Sequence, residues 1–158
     1  MIKILFVCHG NICRSPMAQF VMQNLVNREN LADCFFIDSA ATSTEEIGSG
    51  VHRGTREKLR REGIPLGDHR AVQLRRGDYG AYDLLIGMDQ WNIRNMQRIT
   101  GGDPQGKICK LLDFTDHPRD IADPWYTGDF DQTYQDVAEG CKQLLDYLRK
   151  YRSKDINR

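Results

Sequence analysis

The stretch that decides the fold is Cys8-His9-Gly10-Asn11-Ile12-Cys13-Arg14-Ser15-Pro16. An apolar run, Ile2 to Val7, leads straight into it, and a segment with helical spacing follows. The run is aliphatic and too short for a buried helix, so it reads as a buried strand. Pro16 has a fixed φ and no N–H, which suits the first position of a helix, and Ser15 before it reads as the N-cap. Between Cys8 and Arg14 the chain is long enough to wrap a cup of backbone N–H groups around an anion. Gly10 and Asn11 are residue types that tolerate the left-handed backbone such a cup needs. The helix N-terminus adds its positive end, and Arg14 adds a planar fork for two phosphate oxygens. Cys8, at the floor, would be ringed by donors that favour its thiolate. One loop would then bind a tetrahedral dianion and present a nucleophile to it. The bland alternative is a buried cysteine at a strand end with an ordinary capped turn. The strand before, the Ser-Pro start after and the internal Gly-Asn favour the cup.

Outward from this loop, three more short apolar runs read as strands: Cys34 to Ile37, Tyr82 to Ile86 and Lys107 to Leu112. Helical spacing separates them. Met17, Phe20, Val21, Asn24 and Leu25 form the first pattern, and a more charged segment covers roughly 50–62. A third runs from about 90 to 99 with Trp91 and Met96 as anchors. The last and clearest stripe is Tyr134, Val137, Cys141, Leu144, Leu145 and Leu148. Strands alternating with helices imply βαβ units, hence a doubly wound, four-stranded parallel sheet with helices on both faces. Ligands then bind beyond the carboxyl ends of the strands, where the loops 8–15, 39–48, 88–90 and 113–131 gather.

A length of 158 residues fits one α/β domain, 1–158, with the charged tail from about 150 expected to fray. Lys and Arg total 22 against 22 Asp and Glu, which argues against a globally basic nucleic-acid binder. No apolar run approaches the ~20 residues of a membrane helix, and Met1–Cys8 carries no signal-peptide pattern. A cytoplasmic address without membrane association follows as the expectation. The five cysteines, at 8, 13, 34, 109 and 141, form no CxxC pair and no zinc spacing. Neither metal nor cofactor is expected. The chain also lacks a GxGxxG after its first strand and any Walker GxxxxGK[ST].

On Cys8 through Ser15 the chain resembles the low-molecular-weight protein tyrosine phosphatases, whose signature is a C-x5-R-S loop near the N-terminus. Their Asp-Pro-aromatic motif is matched by Asp123-Pro124-Trp125-Tyr126, and the similarity runs from Ile2 to about Leu148. The resemblance implies a flavodoxin-like sheet and metal-independent hydrolysis of phosphotyrosine and aryl phosphate monoesters through a phosphocysteine. Cys8 would be the nucleophile and Arg14 the group binding phosphate and transition state. His9, Gly10, Asn11, Ile12, Cys13 and Ser15 would complete the phosphate loop, His9 mainly through its backbone. Asp123 would be general acid and then general base. Composition alone does not choose it, because Asp113, Asp116, Asp120, Asp129 and Asp131 lie in the same stretch. Asp131 reads as the N-cap of the last helix.

Three supports also come from the resemblance. Ser39, ending the second strand, looks like the serine that bonds the loop asparagine, Asn11. His69 looks like the histidine that reaches the same residue, and Asp89 like the carboxylate beside the catalytic arginine. Read alone, His69 is a surface histidine and Asp89 a helix N-cap. Trp125 and Tyr126 fit either an aromatic cleft wall or a loop anchor. Cys13 is placed to close a reversible disulfide on Cys8, or simply to pack under the loop. Cys34, Cys109 and Cys141 read as core packing, and His52 and His117 as structural or solvent-facing. The chain departs from the family at 42–48, where no aromatic stands. Glu45 occupies the cleft wall there, and two carboxylates at the mouth would repel acidic phosphopeptides and favour basic or small substrates. The expected partners are a phosphotyrosine-containing protein or a small aryl phosphate, with the chain a monomer or weakly self-associating. An arsenate reductase of the same fold would need further cysteines, and none lies between Glu45 and Gly106. A non-catalytic phosphate-binding module would have no use for a thiol beside an acid.

Overall fold

β1 (Ile2–Cys8) is buried along almost its whole length, as an aliphatic strand flanked on both edges must be. It pairs in parallel with β2 (Phe35–Ala41) on one side and β3 (Leu84–Gly87) on the other. β4 (Ile108–Lys110) completes the parallel order β2-β1-β3-β4. The structure is a computed structural model, described over residues 1–156. Side chains alternate across a strand. Ile2, Ile4 and Phe6 therefore point into the larger core, and Leu5 and Val7 into the smaller one on the opposite face.

The larger core is closed by α1 (Arg14–Arg28) and α6 (Phe130–Tyr151), with α2 (Arg53–Arg61) beside them. The smaller is closed by α4 (Gln90–Thr100), through Met96 against Leu85 and Ile108. Short turns α3 (Asp78–Ala81) and α5 (Pro124–Thr127) lie in the connections, and α7 (Ser153–Ile156) follows α6. Among the described residues no helix is long and apolar enough to cross a membrane. The strand order reverses between β1 and β3, so the crevice beyond their carboxyl ends is the topological switch point. Cys8 ends β1 at that crevice.

Several expectations shift. β2 starts one residue later and runs on to Ala41, so Ser39 lies inside the strand instead of ending it. β4 is shorter than expected because Leu111–Phe114 turn into a 3-10 helix, which carries Leu111 and Leu112 into the larger core. Trp91 does not anchor α4: it is 67% exposed and lies under the Arg94 guanidinium. Five residues from Met96, Trp91 stands about 140° round the helix from it, off the face that Asn92, Met96 and Thr100 bury. Asp129, not Asp131, caps α6 by accepting from the Gln132 N–H, while Asp131 takes Lys58 at 2.8 Å. In the tail the short helix α7 follows α6 through Ile156. Ile156 is buried in the larger core, and Arg152 pairs with Asp155 at 2.7 Å. Residues 157 and 158 of the tail expected to fray lie outside the described residues.

Candidate active site

The turn from β1 into α1 buries Asn11, Arg14 and Ser15 against Ser39 of β2, and each of the four finds a hydrogen-bond partner. Asn11 adopts φ 59°, a left-handed conformation that asparagine tolerates better than most residues. Its amide donates to Ser15 Oγ at 2.8 Å and Ser39 Oγ at 2.9 Å, and its Oδ1 accepts from the Val72 N–H. Ser39 passes its own proton to Gln19 Oε1 at 2.6 Å. The Asn11 carbonyl meets His69 Nε2 at 2.7 Å. Buried amides and hydroxyls left unpaired would each cost about 1–3 kcal/mol, so this closed network fixes one loop shape. Gly10 does not adopt a positive φ; Asn11 alone supplies the left-handed residue between Cys8 and Arg14.

Ser15 is not the helix cap. α1 begins at Arg14, and the Ser15 hydroxyl instead lies 3.0 Å from Cys8 Sγ. Because that oxygen already accepts from Asn11, its proton is free to point at a Cys8 thiolate. This contact joins the end of β1 to the first turn of α1, which sequence-based capping statistics do not reveal.

Among the described residues Arg14 is the largest fully buried side chain, 2% exposed. Nη1 donates to Asp89 Oδ2 at 2.6 Å and to the Ile121 carbonyl at 2.9 Å, which consumes both of its hydrogens. Nη2 faces Asp123 Oδ2 at 3.3 Å. Burial alone would pull the arginine pKa down, but Cys8, Asp123 and Asp89 together hold it above the ordinary value. A charge in so dry a place persists only because it is paired. Asp89 also caps α4 by accepting from the Asn92 N–H, so both readings of that residue hold at once.

Asp123 stands across the crevice at the start of α5. Its Oδ1 accepts from the Trp125 N–H at 3.0 Å, and its other oxygen faces Arg14. Of the aspartates in that stretch, Asp113 and Asp120 are engaged with Lys110, Asp129 caps α6 and Asp131 pairs with Lys58 of α2. Asp123 is the one that lines the pocket with Cys8 and Arg14. Trp125 and Tyr126 line it too and are 58% and 83% exposed, Trp125 with one edge of its ring against His52. The opposite wall carries Glu45 and Glu46 together with His9, Gly10 and Ile12. His9 contributes more than backbone here, since its Nε2 meets Glu45 Oε2 at 2.8 Å.

Cys13 also lines the pocket, but burial, with Cys8 and Asp123 nearby, pushes its thiol up to about 12. It is therefore protonated at neutral pH. Cys109 is pushed up to about 12 chiefly by burial, Cys141 is raised by burial alone, and Cys34 is buried. All three sit in the core as expected. Sequence reasoning missed Gln19, the Ile121 carbonyl and the tie of the structural His52 to the phosphate loop. The first two act through contacts 20 and 107 residues apart, beyond any local pattern. His52 caps α2, its Nδ1 accepting from the Gly54 N–H, and its place before a helix was a usable signal.

A parallel sheet whose first crossover loop seats a thiol and a buried arginine at the switch point, facing a carboxyl, defines a cysteine-dependent phosphatase. Comparison with known proteins is specific. The family model described as low molecular weight phosphotyrosine protein phosphatase matches residues 3–154, and the chain belongs to that family. It is 40% identical over 152 residues to the low molecular weight protein-tyrosine-phosphatase YfkJ of Bacillus subtilis, covering 95% of this chain and 97% of that one. The low molecular weight phosphotyrosine protein phosphatase of Rattus norvegicus is 39% identical over 152 residues, with 91% and 94% covered. The crystal structure of Bacillus subtilis YfkJ superposes with a TM-score of 0.93 over 96% of this chain and 97% of that one, at 39% identity.

Proposed function

We propose that this chain hydrolyses phosphotyrosine and small aryl phosphate monoesters, with Cys8, Arg14 and Asp123 carrying the chemistry. One observation supports the assignment above the rest: a single pocket is lined by the Cys8 thiol, the Arg14 guanidinium and the Asp123 carboxyl. The Cys8 thiolate attacks phosphorus while the cup's N–H groups and Arg14 hold the equatorial oxygens. The P–O bond to the aryl group breaks, and protonated Asp123 delivers its proton to the departing oxygen. Phenol leaves and a phosphocysteine remains. The Asp123 carboxylate then takes a proton from a water, whose oxygen attacks phosphorus. The P–S bond breaks, phosphate is released, and the Ser15 hydroxyl stabilises the thiolate that returns. No redox change and no outside donor enters either step.

The test is turnover of p-nitrophenyl phosphate and phenyl phosphate in EDTA. Cys8→Ser should abolish both, and turnover persisting in that variant would overturn the mechanism. Asp123→Ala should depress kcat/KM for phenyl phosphate about 10²-fold more than for p-nitrophenyl phosphate, whose leaving group needs no proton. The acidic wall at Glu45 and Glu46 favours basic or small substrates. Glu45→Trp should accordingly lower KM for an aryl phosphate by supplying a stacking surface, and an unchanged or higher KM counts against that role.

A further inference from the structure

We infer that His52 is a positioning residue for the general acid, clamping the Asp123 segment to the phosphate loop; this rests on the reading of Asp123 just given. His52 is fixed to the phosphate loop from below. Its backbone N–H donates to the Ile12 carbonyl at 2.8 Å, and one turn later Thr55 Oγ1 donates to the Cys13 carbonyl at 3.2 Å. The start of α2 is thus bonded to the cup twice. Its imidazole is locked from the side, because Nδ1 caps α2 by accepting from the Gly54 N–H at 2.9 Å. A ring so fixed is a stationary surface.

Two aromatics from the acid side rest on that surface. Trp125 meets the imidazole edge-on, with ring centroids 5.7 Å apart and planes at 78°. Phe130, the first residue of α6, stacks on it at 5.3 Å and 16°. Gly54 makes room for this stack, since a Cβ there would lie 2.4 Å from the Phe130 ring. The Trp125 N–H is also the donor that Asp123 Oδ1 accepts in capping α5. Setting the Trp125 ring against His52 therefore sets the rotation of α5 and the direction of the Asp123 carboxyl. The other contact holding that carboxyl is Arg14 Nη2 at 3.3 Å, a group that phosphate must also use. While Arg14 is engaged with substrate, the Trp125–His52–Phe130 stack keeps the acid registered to the leaving oxygen.

The readout is the ratio of kcat/KM for p-nitrophenyl phosphate to that for phenyl phosphate, which isolates protonation of the leaving group. His52→Asn keeps a capping oxygen and removes the ring; it should raise the ratio about fivefold, a fraction of the full general-acid effect. His52→Phe keeps the ring and loses the cap; it should hold the ratio within about twofold of the parent while Tm falls. Gly54→Ala displaces Phe130 without touching the cap donor and should move the ratio the same way as His52→Asn, which gives a second reading should His52→Asn fold poorly. A parental ratio in both His52→Asn and Gly54→Ala, or a ratio raised equally in His52→Phe and His52→Asn, overturns the clamp. Asp123→Ala measured alongside separates the two failures. If it leaves the ratio flat, the acid assignment itself is wrong; if it raises the ratio and the His52 variants do not, only the clamp is wrong.

Discussion

The two loops that meet in the crevice are built in opposite ways. In the phosphate loop Asn11, Ser15, Arg14 and Ser39 are all at most 2% exposed and joined by buried hydrogen bonds. The loop that carries the proposed acid holds the Asp123 carboxylate at 22% side-chain exposure, and its aromatics are more exposed still. It is pinned from outside. Arg119 reaches across to Asp136 at 2.9 Å and Glu139 at 3.1 Å on α6, and Lys110 takes Asp120 at 3.0 Å. The difference follows from the tasks. Stabilising charge on a phosphoryl group requires donors that are already oriented and dry, because reorganisation at the moment of reaction would cost the gain. A proton donor must instead admit a substrate, meet its oxygen and then receive water, so a solvated, surface-pinned segment serves better.

That contrast breaks most visibly at Asn11. Asn11→Ala removes bonds to Ser15, Ser39 and Val72 and forces alanine toward a left-handed φ that costs about 1–2 kcal/mol. The expected loss is about 10²-fold in kcat/KM for good and poor leaving groups alike, the penalty for a misplaced binding geometry. Asn11→Gly separates the causes, since glycine accepts the backbone but restores no bond. If Asn11→Gly recovers full activity, the network is dispensable and only the φ angle matters.

On the acid side the corresponding change should be small and selective. Arg119→Ala cuts the tie between the 115–123 segment and α6, an exposed pairing at Glu139 and a partly buried one at Asp136, whose carboxylate keeps the Gln132 amide as a donor, so the loss is about 1 kcal/mol. We expect about a threefold fall in kcat/KM for phenyl phosphate and less for p-nitrophenyl phosphate. Equal losses on both substrates would show that Arg119 supports the fold at large and not the acid.

The same contrast explains what could be read from sequence. The cup was legible because its parts are consecutive: a strand end, Gly-Asn, Arg14 and a helix start all fall between Cys8 and Pro16. Its interior wiring was not. Ser15 obeys the statistics of an N-cap, yet the fold turns its hydroxyl onto Cys8, a partner seven residues back. Composition did not separate Asp123 from its neighbouring aspartates, and only the resemblance of Asp123-Pro124-Trp125-Tyr126 to a family motif singled it out, because its physical distinction is a contact with Arg14 across 109 residues. Trp91 failed for a related reason: periodicity reports a helix, while the face that packs is decided by β3 and β4. The tail was read from its charge, which does not show that Ile156 packs in the larger core.

The smallest effect is thermodynamic and lies at Cys13. Its thiol is raised from an ordinary value near 9 to about 12, chiefly by burial and then by the neighbouring Cys8 and Asp123 charges. A thiol whose folded pKa is raised stays protonated in the native state after the unfolded chain has begun to ionise. The native state then binds more protons than the unfolded one, so stability falls with rising pH. The contribution is fully present below about pH 9 and is lost as pH climbs toward 12. By pH 10 the loss from this one residue is on the order of 1 kcal/mol. Cys13→Ala removes the titrating group, so its Tm should fall less between pH 8 and pH 10 than that of the parent chain, whatever its absolute stability. Arg119→Ala serves as the control from the other loop, because an arginine stays charged throughout that range and its removal should leave the slope unchanged. A parental slope in Cys13→Ala would mean that the thiol is solvated enough to ionise in place. The dry cup would then differ less from the acid loop than its hydrogen bonds suggest.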